Sequence, residues 1–202
     1  MDIRLERRTD YKEVEFLVRE SFWNVYRPGC YEHLIIHNLR HDPSFIPQLD
    51  YIIEEDNKII AQIAYSTNDI CVDGEKTEKV VTLGPVCVHP DYQGKGYGTE
   101  IIEFTLKKAK QMNIPYVFTV GDENYYKRFG FVEASKYGIQ FNDITEQTPF
   151  FMIKVLDEEK IEKFNATYLD NECFKVDKKE LESFDNKFPP KKKEKREGHL
   201  DF

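Results

Sequence analysis

A strand that leads into three alternating glycines, followed by a helix, is the feature that most constrains the fold of this chain. Residues 79–88 are rich in β-branched side chains, glycines stand at 94, 96 and 98, and residues 99–112 have helical spacing. Glycines let a backbone approach a ligand closely, and the first amides of a helix lack partners and carry partial positive charge. The stretch therefore predicts an anion site suited to a pyrophosphate.

Two familiar glycine motifs do not fit this loop. The motif GxGxxG needs a third glycine where Thr99 stands, and GxxxxGK[ST] needs glycine and lysine at Thr99 and Glu100. The loop thus indicates neither a Rossmann dinucleotide site nor a Walker ATP site. A glycine turn without any ligand is the alternative interpretation of the loop alone.

The dipeptide Gly84-Pro85 interrupts the strand before the loop. Proline has no N–H to donate to a neighbouring strand, so pairing on one side of a central strand should fail there. We expect a splayed pair of strands whose unpaired backbone groups can bind an extended, amide-bearing ligand. A simple β-bulge is the alternative.

Hydrophobic spacing along residues 1–156 predicts an α/β mixed sheet with flanking helices. The expected elements begin with a strand at 3–5, a helix capped by Thr9 or Asp10 that ends near Trp23, a helix at 31–40, and strands at 51–54 and 59–65, with continuation of the latter to 72 left open. A strand at 79–88, a helix at 99–112, a strand at 116–120, a helix at 123–129, and strands at 131–132 and 150–156 follow. Residues 157–188 are expected to be an appendage that packs on this domain. Residues 189–202, with their lysine run, are expected to be a mobile charged tail.

Composition and charge narrow the class of protein. The 202 residues carry a formal net charge of −8, which argues against general nucleic-acid binding and requires local positive potential around any polyanionic ligand. The four cysteines have no metal-ligand spacing, the N-terminus has no apolar signal region, and no apolar run approaches about 18 residues. We therefore expect a cytoplasmic protein with no metal and no membrane partner.

Three stretches resemble the GNAT superfamily of N-acetyltransferases. They are LGPVCVHP at 83–90, QGKGYG at 93–98 and YYKRFGF at 125–131, similar to the family's strand, pyrophosphate and YxxxGF motifs. The combination resembles a small bacterial subgroup with LGPVxVxPxxQxxGxG and YYxRFGF. The resemblance covers residues 1–156. It implies a mostly antiparallel mixed sheet with splayed fourth and fifth strands, acetyl-CoA as donor, and a primary amine of a small molecule or peptide as acceptor.

Carried over by position, the resemblance implies a set of residues around coenzyme A (CoA). The strand residues Val86, Cys87 and Val88 would offer their backbone to the pantetheine arm. The residues that would surround the pyrophosphate are Gln93, Gly94, Lys95, Gly96, Tyr97, Gly98 and Thr99. Tyr126 matches the family's tyrosine near the CoA sulfur. Thr119 stands where many members have an asparagine, which leaves a contact from that position open.

Acetyl transfer needs an oxyanion donor, a proton or hydrogen bond for the leaving thiolate, and a base for the amine. The backbone N–H of Val88 or Cys87 can polarise the thioester carbonyl, and Tyr126 can serve the thiolate. Asp122 and Glu123 follow the fifth strand and are the candidate bases. We expect direct transfer in a ternary complex, with Cys87 a packing residue and not an acetylated nucleophile.

Several alternatives stay open at this stage. Glu78 and His89 are further candidate bases, and a non-catalytic acyl-CoA-binding regulator or scaffold is the alternative function. The acceptor amine, the oligomeric state (with a homodimer among the options) and the role of 157–202 are undetermined. Candidates for the acceptor side, without assigned roles, are Trp23, Tyr26, Tyr31 and residues 141–150.

Overall fold

The computed structural model describes residues 1–142, 144 and 146–199 and, within these, leaves out the side chain of Lys76. Expectations that concern 143, 145 and 200–202 lie outside the described residues. The strands are β1 Asp2–Leu5, β2 Tyr51–Glu55, β3 Lys58–Val72, β4 Lys76–Val88, β5 Tyr116–Val120, β6 Val132–Glu133, β7 Ile139–Phe141, β8 Phe151–Val155 and β9 Ala166–Leu169. The helices are α1 Tyr11–Phe22, α2 Glu32–Leu39, α3 Tyr97–Gln111, α4 Glu123–Tyr126 and α5 Lys178–Asp185.

All nine strands belong to one sheet. Its order is β1-β2-β3-β4-β5-β8-β6, with β9 paired to β3 and β7 paired to β9. The neighbours are antiparallel except for β4 with β5 and β7 with β9, which are parallel. The predicted α/β fold with a mostly antiparallel mixed sheet is confirmed.

Strands β4 and β5 separate where Gly84-Pro85 enters β4. Their pairing runs from Val81 opposite Val117 to Leu83 opposite Thr119 and ends there. Beyond that point β4 continues along β3 as far as Val88. The predicted splay is therefore present, and a register shift of β3 opposite Gly84 shows that the strand irregularity accompanies the splay and does not replace it.

Two groups of buried apolar side chains hold helices on the sheet. On α1 the spacing of Val14, Leu17 and Val18 forms one apolar face, which packs with residues of α2 and the sheet. On α3 the residues Ile102 and Leu106 pack with the sheet side chains of the other group. Burying each such side chain contributes about 2 kcal/mol, so these faces fix the helices that flank the splay.

Residues 157–188 do more than pack on the domain, because they supply a strand. Strand β9 pairs with β3, with Tyr168 opposite Ile70, and the Tyr168 hydroxyl lies 2.9 Å from the Thr82 hydroxyl. Helix α5 buries Leu181 and Phe184 against α2. The sequence predicts neither β9 nor α5, because a four-residue strand and an eight-residue helix carry little periodicity.

Residues 190–199 lie against the loop between α1 and α2. The Trp23 Nε1–H donates to the Lys192 carbonyl at 2.9 Å, and the Glu194 N–H donates to Asn24 Oδ1 at 3.1 Å. The sequence of a lysine-rich run does not predict such contacts, because they are made by its backbone groups with residues far away in the chain. Among the described residues, no helix is long and apolar enough to cross a membrane.

Candidate functional site

The glycine loop presents a row of backbone amides to solvent. The amides of residues 94–99 donate to none of the described residues. The first hydrogen bond of the helical pattern runs from the Glu100 N–H to the Gly96 carbonyl at 3.0 Å. Residues 94–96 are exposed and residues 97–99 are partly buried. Six successive donors therefore lie at the start of a fifteen-residue helix, an arrangement that suits an anion.

Left-handed backbone gives the loop its shape. Gly96, which precedes α3, has φ of 95°, and a Cβ added there or at Gly94 would meet nothing within 4 Å. A side chain at either position would therefore project into open space beside the loop. The absence of side chains leaves that space to a ligand.

Three predicted loop residues have their side chains engaged elsewhere. The Gln93 side-chain amide donates to the Val88 carbonyl at 3.1 Å, and Lys95 Nζ donates to the Asp91 carbonyl at 2.9 Å. The Tyr97 hydroxyl donates to a Glu55 carboxylate oxygen. These contacts leave backbone groups as the main ligand-facing donors of the loop, with the Lys95 ammonium as a nearby positive charge.

The backbone of β4 divides its groups between β3 and the splay. The His89 N–H donates to the Ile60 carbonyl at 2.8 Å, and hydrogen bonds alternate along an antiparallel strand. The Cys87 N–H therefore faces β3, whereas the N–H groups of Val86 and Val88 face the opening towards β5. This corrects one of the two oxyanion donors considered from the sequence, because Val88 faces the opening and Cys87 does not.

Cys87 points its side chain into the packing between the sheet and α1. It is 6% exposed and contacts the same apolar group as Val14 and Leu17. Burial raises the pKa of its thiol to about 12, which leaves little thiolate near neutral pH. These features match a packing role and give no support to an acetylated cysteine.

Tyr126 lies beneath the splayed strands. It is 7% exposed, packs edge-on against Phe131, and a Cβ at Gly121 would lie 2.7 Å from its ring. Burial raises the pKa of Tyr126, and an interaction with the Thr119 hydroxyl offsets part of this effect. Thr119 thus meets Tyr126 from the position where an asparagine was expected, and Tyr126 remains a protonated donor at neutral pH.

Tyr125 is a site residue that the sequence reasoning left without a role. Its hydroxyl lies 2.6 Å from the position that a Cβ at Gly98 would take, and Val88 is also near that position at 3.5 Å. The guanidinium of Arg128 lies 4.2 Å from the Tyr125 ring centroid. The double tyrosine of the YYKRFGF stretch was the available signal, since it places the two rings around one loop.

The two predicted bases differ in their surroundings. Asp122 is exposed and precedes α4, where its Oδ1 accepts from the Asn124 N–H at 2.9 Å. The carboxylate of Glu123 forms an ion pair with Lys127 at 2.7 Å on the surface of α4. That ion pair engages the Glu123 carboxylate on the surface of α4, which favours Asp122 of the two candidates.

The two further candidates lie away from the opening. His89 Nδ1 accepts from the Asp91 N–H at 3.2 Å and so caps the turn that leads into the loop. Glu78 lies opposite Ile70 in the paired part of β4, five residues before Leu83. Neither position brings a base to the splay.

Aromatic and acidic groups from α2 and the α1–α2 loop act electrostatically on one another and on Tyr126. Tyr26 is 42% exposed, and its pKa is raised by burial first and then by the negative charges of Glu32 and Asp122. Tyr26 in turn contributes to the raised pKa of Tyr126. Tyr26 is thus within electrostatic range of Tyr126 and of the two carboxylates, which adds Glu32 to the acidic residues on this side of the molecule.

Glu32 is partly held by its own helix terminus. Its Oε2 accepts from the Tyr31 N–H at 2.8 Å, and burial raises the pKa of its carboxyl. Among the described residues no group of three or more His, Cys, Asp or Glu side chains is arranged to hold a metal ion. The neighbourhood is thus acidic and aromatic around a set of backbone amides.

Comparison with known sequences gives a family. The Acetyltransferase (GNAT) family matches residues 11–131. The uncharacterized N-acetyltransferase YhbS of Escherichia coli (strain K12) is 26% identical over 158 residues, 78% of this chain and 89% of that protein. The uncharacterized N-acetyltransferase YjhQ of the same strain is 29% identical over 98 residues, 48% of this chain and 53% of that protein.

Comparison with solved structures gives the same fold. The Escherichia coli YhbS structure in complex with CoA has a TM-score of 0.71 at 24% identity, covering 86% of this chain and 91% of that chain. A Brucella melitensis GNAT acetyltransferase in complex with acetyl-CoA has a TM-score of 0.65 at 24% identity, covering 86% and 97%. With the glycine loop and the splayed β4–β5 pair, the family match shows that this chain belongs to the GNAT acetyltransferases and is an acyltransferase.

Proposed function

We propose that the protein transfers the acetyl group of acetyl-CoA directly to a primary amine within a ternary complex. The observation that carries this proposal is the junction of six free loop amides with the splayed β4–β5 pair. The amides suit a pyrophosphate, and the N–H groups of Val86 and Val88, which face the opening, suit the amide-bearing pantetheine arm. Solved relatives bind CoA and acetyl-CoA, which supports the same donor here.

The Val88 N–H is the proposed donor to the thioester oxygen. It faces the opening because the neighbouring His89 N–H is directed at Ile60 on β3. As the amine attacks, the carbonyl oxygen gains negative charge, and a fixed N–H stabilises that charge more than it stabilises the ground state. The tetrahedral centre then collapses with cleavage of the carbon–sulfur bond.

Tyr126 is the proposed partner of the departing CoA thiolate. A simple thiol has a pKa of about 8.5, and burial places the pKa of Tyr126 above its ordinary value of 10. Complete proton transfer from tyrosine to thiolate is therefore uphill. Tyr126 acts chiefly by donating a hydrogen bond to the sulfur, and the thiolate takes its proton from solvent after release.

The acceptor is proposed to be a cationic primary amine. The charges of Asp122 and Glu32 both act on Tyr26 at the acceptor side, and the chain as a whole carries a net charge of −8. Negative potential attracts an ammonium group. Asp122 is the proposed proton acceptor, directly or through water, because it is exposed at the start of α4 next to the tyrosine pair.

Local cations offset the acidic balance where the phosphates would lie. Lys95 belongs to the loop itself, and Arg128 stacks on Tyr125, whose hydroxyl reaches Gly98. The helix terminus adds its partial positive charge. A polyanionic donor can therefore bind to a chain that is acidic overall. The four free cysteines support the proposal of a reducing, cytoplasmic location.

The decisive experiment measures thiol release from acetyl-CoA with putrescine, tyramine or an alanyl tripeptide as acceptor, beside thermal-shift binding of CoA. Transfer is expected to release free CoA and to give an acetylated amine that mass spectrometry detects. Stabilisation by CoA without thiol release on any of the three amines would favour a non-catalytic acyl-CoA-binding module. A chain that neither binds CoA nor releases thiol from acetyl-CoA would contradict the proposal.

A further inference from the structure

Asn24 closes the loop between α1 and α2 into a compact turn. Its backbone N–H donates to the Gly29 carbonyl at 2.9 Å, and the Gly29 N–H donates to Asn24 Oδ1 at 2.8 Å. Asn24 is 3% exposed and has φ of 58°, in the left-handed region. The turn from Asn24 to Gly29 carries Tyr26, so its position determines where Tyr26 stands.

The C-terminal segment (residues 190–199) binds the same asparagine. Asn24 Nδ2 donates to the Lys192 carbonyl at 3.1 Å, the Glu194 N–H donates to Asn24 Oδ1 at 3.1 Å, and His199 Nε2 lies 3.1 Å from the Asn24 carbonyl. Both polar atoms of the Asn24 side chain therefore join the turn to the segment. Partly buried hydrogen bonds of this kind hold two chain segments in one arrangement.

Neighbouring residues strengthen the same junction. The Trp23 Nε1–H donates to the Lys192 carbonyl at 2.9 Å, and Lys191 Nζ forms an ion pair with Glu20 at 2.5 Å. The Lys193 side chain passes 3.2 Å from the position that a Cβ at Gly29 would take. The segment thus covers the outer side of the turn along its length.

Helix α5 anchors the chain just before the C-terminal segment. Asp185 accepts from Arg19 Nε at 2.7 Å, and Arg19 is 1% exposed. The Arg19 guanidinium lies 4.2 Å from the Trp23 ring centroid. The anchor and the segment therefore bind α1 and the turn as one unit.

We propose that the C-terminal segment positions the acceptor side of the site, with Asn24 as the positioning residue through which it acts. The segment holds the Asn24–Gly29 turn, which carries Tyr26. The turn follows Ser21 of α1, whose hydroxyl donates to the Val88 carbonyl at the splay at 3.1 Å. This inference rests on the proposed acetyltransferase function. It gives residues 190–199 a role in acceptor affinity, whereas the glycine loop on α3 binds the donor independently of them.

The test compares Asn24→Gly with Asn57→Gly in the full chain. Glycine tolerates the left-handed φ of both positions, 58° and 59°, so Asn24→Gly removes the side-chain hydrogen bonds with little backbone strain. Asn57 lies exposed in the β2–β3 turn and is the matched control. Kinetics are measured with whichever of putrescine, tyramine or the alanyl tripeptide the unaltered chain acetylates.

Asn24→Gly is expected to raise the KM for that amine by about tenfold, as the loss of one or two hydrogen bonds predicts, with an unchanged KM for acetyl-CoA. Trp23 is the single tryptophan of the chain. Its fluorescence emission is expected to shift to longer wavelength in this variant, because loss of the contact with the C-terminal segment exposes the indole to water. Asn57→Gly is expected to change neither the KM for the amine nor the fluorescence emission of Trp23. A shifted Trp23 emission with an unchanged amine KM, or equal increases in both KM values, would overturn the inference.

A second variant covers the case in which Asn24→Gly fails to fold. Glu194→Pro removes the N–H that donates to Asn24 Oδ1 and alters no residue of the sheet or its helices. It is expected to give the same selective rise in amine KM. If the unaltered chain acetylates none of the three amines, the proposed function and this inference both fail; if it does and neither variant moves the amine KM, only this inference fails.

Discussion

Gly98 shows how one missing side chain links the glycine loop to the tyrosine pair. A Cβ there would lie 2.6 Å from the Tyr125 hydroxyl, so a larger residue would displace either the ring or the start of α3. Gly94 and Gly96 serve differently, because their side-chain positions are open. The alternating glycines thus meet two demands, close packing behind the loop and free space in front of it.

The open glycine position gives a first prediction. Gly96→Leu is expected to weaken CoA binding about tenfold or more, because the side chain would occupy the space in front of the loop amides. Gly74→Leu is the matched control, since Gly74 has φ of 73°, open surroundings and a place in the distant β3–β4 turn. Isothermal titration with CoA measures both; equal affinities would contradict the pyrophosphate site.

Tyr126→Phe gives a second prediction. The variant keeps the packed ring and loses the hydroxyl, so kcat is expected to fall about tenfold to hundredfold with CoA affinity unchanged. Since the pKa of Tyr126 is raised above 10, the unaltered enzyme should keep its donor protonated and show no loss of kcat from this group below pH 10. Steady-state kinetics from pH 7 to about 10 checks both statements; full activity of the variant would remove Tyr126 from the mechanism.

At the scale of elements, the separation of β4 from β5 creates the site. Pairing with β5 ends at Leu83, yet pairing with β3 holds β4 as far as Val88. One side of the strand therefore stays rigid while the other offers unpaired backbone groups. Strand β9 stabilises this arrangement from the other side of β3, where it pairs with residues 69–72.

A third prediction tests β9 as part of the sheet. Tyr168→Phe leaves the buried Thr82 hydroxyl without its partner, and the expected loss in the free energy of unfolding is about 1–3 kcal/mol. Tyr137→Phe, at a less buried tyrosine near β7, is expected to cost much less. Urea unfolding followed by circular dichroism measures the difference; equal values would mean that the Tyr168 hydroxyl is dispensable.

At the scale of the whole molecule, distant segments meet in a buried polar cluster around His33. Its Nδ1 lies 3.2 Å from Cys30 Sγ, its Nε2 lies 3.3 Å from Asp185 Oδ1, and Arg19 and Lys193 add positive charge. Burial lowers the pKa of His33 from 6.5 to about 4. The imidazole is therefore neutral in the folded protein and protonates more readily in the unfolded chain.

The His33 cluster gives a fourth prediction. Because the unfolded state binds the proton more readily, the stability that His33 supplies is complete above pH 6.5 and is lost as the pH falls towards about 4. His33→Gln should therefore lose less stability on acidification than the unaltered chain, by about 2 kcal/mol. His41→Gln, at an exposed histidine after the same helix, is the control. Urea unfolding at pH 7.5 and 4.5 measures the difference; parallel losses in the unaltered chain and in His33→Gln would contradict it.

The sequence predicts the parts of the site that lie close together along the chain. The glycine loop, the break at Gly84-Pro85 and the start of α3 are consecutive, so residue types alone determine their backbone conformation. The net charge of −8 likewise indicates that a polyanion needs local donors, which the loop amides supply.

Only the tertiary structure decides which side chains from other segments reach that loop. Trp23 and Lys192 are 169 residues apart, and the position of Tyr26 depends on how the α1–α2 loop is held. The residues of β9 form a strand because they pair with the backbone of β3 at residues 69–72. The local sequence determines the glycine loop because backbone geometry is local, whereas the position of the α1–α2 loop is decided by packing between segments whose contacts leave no pattern in the sequence.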